Sequence, residues 1–212
     1  MLLRDPACAV STTLPAQLRD FPEWHRGRAR YALWMLPVED AALLAHIRRL
    51  QAALADLLHP TGARQPHLTL YVCGFLAEHA VHDDDFPAER LEAQCAALRA
   101  APGTVCELPI AAPDAFASAA ILPVGDPQQR LARWRAQLAA CSAEIRQQAY
   151  CPHITLGLFR EAWPVELIRE RLAALPQSAP HLPVQRLIHA TYAASDLFGA
   201  LQAERSIELT PG

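Results

Sequence analysis

The stretch "QPHLTLYVCG", residues 65–74, decides the reading of this chain, because it returns as "YCPHITLGLF" at residues 150–159. Each copy writes Pro-His-aliphatic-Thr-Leu inside an apolar run rich in β-formers, which predicts a strand. Alternate side chains of a strand share a face. His67, Thr69, Tyr71 and Cys73 then point one way, and Leu68, Leu70 and Val72 the other. In the second copy His153, Thr155 and Gly157 oppose Ile154, Leu156 and Leu158. Each strand thus offers an aliphatic face to helices and a His/Thr pair to the opposite side.

The surrounding chain alternates strands and helices. "RYALWML" (30–36) predicts a strand, and Leu43, Leu44, Ile47, Leu50, Leu54 and Leu57 predict a helix that ends at "HPTG". "EHAVHDDDFP" reads as a polar loop; Leu91, Cys95 and Leu98 mark a short helix, and "TVCELPI" and "FASAAILPV" two strands. Asp126 and Pro127 form an N-cap and first-turn pair for a helix carrying Leu131, Trp134, Leu138, Cys141 and Ile145. A helix from Pro164 through Leu175 and strands near 184–193 and 200–209 follow the second histidine strand. Trp34 and Trp134 read as core. The histidines lie 86 residues apart (67 to 153), too far for a solenoid repeat. The expectation is a bilobal, duplicated α+β fold of two antiparallel sheets flanked by helices, with a cleft between the lobes. Residues 1–29 read as an N-terminal extension and 30–212 as one domain, since no Gly/Ser linker divides them.

Composition removes several functions. All 19 basic residues are arginine, so there is no phosphate-loop, Schiff-base or adenylylated lysine. Neither G-x-G-x-x-G nor G-x-S-x-G occurs. A net charge of −3 disfavours a general nucleic-acid coat but leaves room for a local arginine site. The six cysteines show no metal spacing and read as reduced thiols, which with no secretory pattern read near the start gives the expectation of a cytoplasmic protein. No apolar run reaches the ~18 residues a membrane span needs.

Two imidazoles suit phosphodiester cleavage without a metal. The group titrates near neutrality, so one ring can take a proton while the other gives one. Threonine hydroxyls and arginines can donate to the phosphoryl oxygens. The paired "PHLTL" and "PHITL" strands, with "RYALWMLPVED" ahead of them, resemble the 2H phosphoesterase superfamily of RNA 2',3'-cyclic phosphodiesterases and 2'-5' RNA ligases over roughly residues 30–209. The resemblance implies His67 and His153 as the acid/base pair, Thr69 and Thr155 as phosphate-binding hydroxyls, and no cofactor or metal. It implies an enzyme acting on an RNA 2',3'-cyclic phosphate end or a cyclic nucleotide, expected as a monomer. Residues 1–29 lie outside it.

Other residues carry two readings each. Trp24, Arg26 and Arg28 in "EWHRGRAR" form either a flap that holds phosphate and stacks on a base, or a solvated lead-in to the first strand. Arg64 and Arg160 flank the histidine strands and either contact phosphate or cap a sheet edge. Tyr71, on the His67 face, either touches a base or is an ordinary strand tyrosine. His189-Ala190-Thr191 is a third H-x-T but lacks the proline, and reads as structural. The loop with His79, His82, Asp83, Asp84 and Asp85 reads as solvated rather than metal-binding. The alternatives to the cyclic phosphodiesterase are a non-catalytic RNA-end or nucleotide-binding module with the same cleft, and a metal-dependent phosphatase built on that loop.

Overall fold

A computed structural model describes residues 1–145 and 149–211. The elements run α1 (Pro22–His25), β1 (Arg30–Pro37), α2 (Ala41–Ala53), β2 (His67–Ala77), β3 (Asp85–Pro87), α3 (Ala88–Ala100), β4 (Cys106–Leu108), β5 (Asp114–Ala115), β6 (Ala119–Pro123), α4 (Arg130–Cys141), β7 (His153–Leu158), α5 (Val165–Ala173), β8 (Leu182–Val184), β9 (Arg186–Ala193) and β10 (Gln202–Glu208). The fold is α+β with antiparallel sheets flanked by helices. The two antiparallel halves meet edge to edge: one eight-stranded sheet runs β10-β9-β1-β2-β7-β6-β5, with β3 beside β2, and β4 pairs with β8 separately. The joint between the halves is the β2–β7 pair, registered at Leu68 opposite Ile154.

One core lies under the helix side of this sheet. It gathers Ala32, Trp34, Leu36, Leu68, Leu70, Ile154 and Leu156 from the strands, with Leu43, Ile47 and Leu50 from α2 and Leu131, Trp134 and Leu138 from α4. Asp40 caps α2, accepting from the Leu43 N–H at 2.8 Å. Asp126 accepts from the N–H groups of Arg130 and Ala132, although α4 starts after Gln129, later than the Asp-Pro pair predicts. Ile145 lies beyond α4; its N–H donates to the Val72 carbonyl at the edge of β2.

The two histidine strands sit in matching frames. His67 pairs with Pro37 and Leu68 with Leu36; His153 pairs with Pro123 and Ile154 with Leu122. The Val38 N–H donates to the Pro66 carbonyl at 3.2 Å, and the Val124 N–H to the Pro152 carbonyl at 2.9 Å. Every one of these correspondences has the same 86-residue offset. The prolines lack an N–H and stand where the strand begins, a position a ladder tolerates.

Both strands also break their alternation at the same place. The pairing of β2 with β1 skips Leu70, since Trp34 faces Tyr71 and Met35 faces Thr69. The pairing of β7 with β6 skips Leu156, since Ile121 faces Thr155 and Ala120 faces Gly157. A bulge sets two residues against one and reverses the faces beyond it. Tyr71 therefore turns into the core, 1% exposed, and its hydroxyl donates to the Ser142 carbonyl. The expectation that Tyr71 shares the His67 face is corrected by this bulge. The polar loop after β2 likewise contains β3, which runs parallel to β2. Gly74 makes that approach possible: at φ +116 a Cβ would stand 2.3 Å from the Asp84 carbonyl oxygen, which accepts from the Phe75 N–H.

The third H-x-T is structural. His189 is fully buried between Trp34 and Phe86, with ring centroids 5.4 and 6.0 Å away. Burial pushes its pKa down to about 4; Glu204 opposes this, and Arg205 and Arg30 add to it. The folded ring is neutral while the unfolded one titrates near the ordinary 6.5, so stability is lost as pH falls from about 6.5 to about 4. His189→Leu is expected to flatten the stability curve across that window by up to about 3 kcal/mol. Urea midpoints at pH 5 and pH 7 check this; an unchanged difference between them would contradict it.

Candidate active site

The β2–β7 register does the work of assembly. Antiparallel pairing about Leu68 and Ile154 sets His67 beside Thr155 and His153 beside Thr69, with opposite Cα atoms about 5 Å apart. Leu68 and Ile154 are fully buried beneath. The two motifs thus lie head to tail on one open face, Thr155 exposed and the other three half-buried. The facing lobes expected from the sequence are realised as adjacent strands.

Each imidazole is held the same way. His67 Nδ1 lies 2.8 Å from the Gln65 carbonyl, and His153 Nδ1 lies 2.7 Å from the Cys151 carbonyl. A carbonyl only accepts, so both Nδ1 atoms carry the proton and the lone pair of each neutral ring sits on Nε2. Burial pushes His67 down to about 4; the Gln65 carbonyl opposes this, and the positive charge of Arg64 and His153 adds to it.

A small cavity of about 50 Å³ opens at His67 and Thr155, bounded by Arg64, Gln51, Gly157 and Phe198. It opens beside a groove of about 850 Å³ that shares Gln51, Thr61 and Leu156 with it and adds His59 and Arg160. The larger space is lined by His59, Arg160 and Glu161; of the two, the smaller one reaches the paired histidines, through His67. Arg64 is the cation of that cavity. Its guanidinium lies 4.0 Å over the Tyr192 ring and Nη2 donates to the Leu197 carbonyl, while the buried Nε has no partner among the described residues. Desolvation lowers its pKa without threatening its charge.

The remaining sequence candidates are placed elsewhere. Trp24 packs on Tyr31 and Phe75 with centroids 4.9 and 4.7 Å away. Arg28 lies 3.8 Å over Phe75 and pairs with Asp84 at 2.5 Å and Asp85 at 2.6 Å. Phe75 is eight residues along β2 from His67, about 26 Å of strand. These side chains therefore tie α1 to the far end of the sheet, and Arg26 beside them is exposed near His82. The same contacts occupy the loop in which a metal-dependent phosphatase would need ligands. Asp85 also accepts from the Val81 and His82 N–H groups. Arg160 borders the larger groove and lies 3.6 Å from Glu161.

Residues without a sequence signal complete the site. Phe116, from the β5–β6 turn, sets its ring edge-on to His153 at 5.0 Å. Phe198 arrives from the loop between β9 and β10. The Tyr150 hydroxyl donates to the Thr69 carbonyl at 3.1 Å under a guanidinium of Arg135 at 3.7 Å.

Comparison with known proteins places the fold. Among curated proteins none matches the sequence. Solved structures share the fold. Escherichia coli LigT in its apo form superposes with a TM-score of 0.60 at 16% identity, over 87% of this chain and 99% of that one. LigT complexed with 3'-AMP gives 0.57 at 16% identity, over 86% and 99%. The Thermus thermophilus protein TT0787 gives 0.57 at 13% identity, over 85% and 98%. The family model of the 2'-5' RNA ligase superfamily matches residues 36–196, a span that holds both histidine strands, and the chain belongs to that superfamily.

Proposed function

We propose that this chain is a metal-independent phosphodiesterase that opens 2',3'-cyclic phosphates at RNA ends or on nucleotides. The observation that carries the reading is the single β2–β7 register that sets two Nδ1-anchored imidazoles and two threonines on one open face. The cyclic phosphate sits over that face, with Arg64 donating to its non-bridging oxygens as Thr69 and Thr155 do from below. One Nε2 takes a proton from the attacking water; the other imidazolium gives a proton to the ribose oxygen that leaves phosphorus. A new P–O bond to water forms as the ring P–O bond breaks, so the pair ends with its protonation exchanged. The family resemblance supports retention of the phosphate on the 2' oxygen. With a 5'-hydroxyl attacking in place of water, the same groups open the ring and form a 2'-5' bond without ATP. The LigT structures with 3'-AMP and with ATP support nucleotides as the ligand class.

The test is a product assay on 2',3'-cyclic nucleotides and on oligonucleotides ending in a cyclic phosphate, with and without exhaustive EDTA. The expected result is a ring-opened monophosphate at the same rate in both conditions. Loss of turnover on chelation, restored by a divalent ion, would sink the two-histidine reading. Thr69→Val and Thr155→Val each remove one hydroxyl donor and keep the strand shape. Each is expected to lower kcat/KM about tenfold, the cost of one hydrogen bond to a charged group. Steady-state kinetics on the same substrates check it.

A further inference from the structure

Gln65 precedes Pro66 and His67 and is tied down at both ends of its own structure. Its backbone carbonyl accepts from His67 Nδ1 at 2.8 Å. Its side-chain amide closes a two-bond ring on Leu201: the Leu201 N–H donates to Oε1 at 2.8 Å, and Nε2 donates to the Leu201 carbonyl at 3.1 Å. Its neighbour Arg64 adds a bond to the Leu197 carbonyl at 2.8 Å. The loop that carries Phe198 is therefore fastened to the backbone that aims His67. At His153 the same carbonyl role falls to Cys151, whose thiol cannot form an amide ring of this kind.

We propose that Gln65 is a positioning residue for His67, its amide ring with Leu201 holding the carbonyl that selects the imidazole tautomer and seating Phe198 as the wall that keeps the ring from water. Rotation of the Gln65 peptide would release the Nδ1 proton, and the lone pair would no longer be confined to Nε2. Opening of the 197–201 loop would rehydrate the ring and weaken the burial that keeps it neutral. The charged and titratable groups facing His67 are Arg64 from its own loop and His153 from β7. Neither is removed by changing Gln65, and Gln65→Met adds no charge, so a shift in its His67 titration reports on position and hydration.

The experiment compares the full-length protein with Gln65→Met, nearly the same shape without hydrogen bonds, and Gln65→Glu, which keeps the acceptor and loses the amide donor. Nitrogen NMR of the His67 ring reads tautomer and titration, and kinetics on a 2',3'-cyclic nucleotide reads turnover. In the parent the neutral ring is expected as the Nδ1–H tautomer. In Gln65→Met the tautomers mix and the titration midpoint rises by about one pH unit or more, toward the ordinary imidazole value. Turnover falls at least about tenfold in kcat with KM little changed, as misplacement of a reacting group does, and Gln65→Glu lies between. A Gln65→Met protein with the parent's tautomer and midpoint overturns the proposal, whatever its melting temperature. If Gln65→Met does not fold, the tautomer is read on Gln65→Glu, and an unchanged Nδ1–H ring there overturns it equally. The kinetic arm rests on the phosphodiesterase reading, but the NMR arm does not. A parent that turns over no cyclic phosphate removes the proposed function, and the ring measurement still decides the role of Gln65.

Discussion

His67→Ala and His153→Ala should each lose on the order of a hundredfold to ten-thousandfold in turnover of a 2',3'-cyclic nucleotide, the usual cost of removing a general acid or base. Neither change should unfold the protein. Both imidazoles stand on the open face, while the packing of each strand rests on the fully buried Leu68 and Ile154 behind them. The double variant should be little worse than either single one, because two groups that hand protons across one phosphate act as a unit. His189→Leu should keep the parent's rate, since that ring lies between Trp34 and Phe86 inside the core. Circular dichroism of every variant must match the parent for the comparison to hold. If His189→Leu proves as damaging to turnover as His153→Ala, the pairing of β2 with β7 is not what makes the site.

Arg64→Met carries the second large effect, and it falls on binding. The methionine keeps an apolar contact with Tyr192 but removes the guanidinium whose Nε has no partner among the described residues. A charge-assisted hydrogen bond to a phosphate is worth about 2–3 kcal/mol, or about 30- to 150-fold in affinity. KM and the inhibition constant of inorganic phosphate should rise by that factor, with kcat changed far less. The matching change at Arg160, outside the cavity, should leave phosphate inhibition where it is. Unaltered phosphate inhibition in Arg64→Met would show that this arginine supports the loop alone.

The histidine and threonine part of the candidate site was legible because its signal is local. A histidine and a threonine two apart in a strand share a face, and the proline before each marks where the strand begins. The 86-residue offset carried further than the motif itself, since it also aligns the Leu-Pro-Val ends of β1 and β6 and the capping Asp40 and Asp126. Tyr71 was misplaced because strict alternation assumes an unbroken ladder. The skip at Leu70 has no marker in an aliphatic run, and only the partner strand reveals it. Trp24 and Arg28 have the chemistry of a phosphate flap, yet their partners Phe75, Asp84 and Asp85 are supplied by distant elements that a linear pattern cannot align. Phe116, Phe198 and Gln65 gave no signal for the same reason: an aromatic or an amide in a loop acquires a role only from what tertiary contacts bring beside it. The pairing of β2 with β7 that joins the two parts of the large sheet is a non-local contact of the same kind.

The most direct measurement is the dependence of kcat/KM on pH for a 2',3'-cyclic nucleotide, with chemistry shown to limit the rate and folding followed at each pH. Both imidazoles in the titrating range would place both limbs near neutrality, as the motif alone suggests. Burial instead pushes free His67 down to about 4, helped by Arg64 and His153. The singly protonated pair then persists to lower pH, because a neutral His67 is lost only as pH falls through that value. The account predicts a bell whose acid limb falls near pH 4, and whose shape disappears in His67→Ala. A profile flat across the titration range of imidazole down to pH 4, or one whose acid limb survives unchanged in His67→Ala, would contradict it.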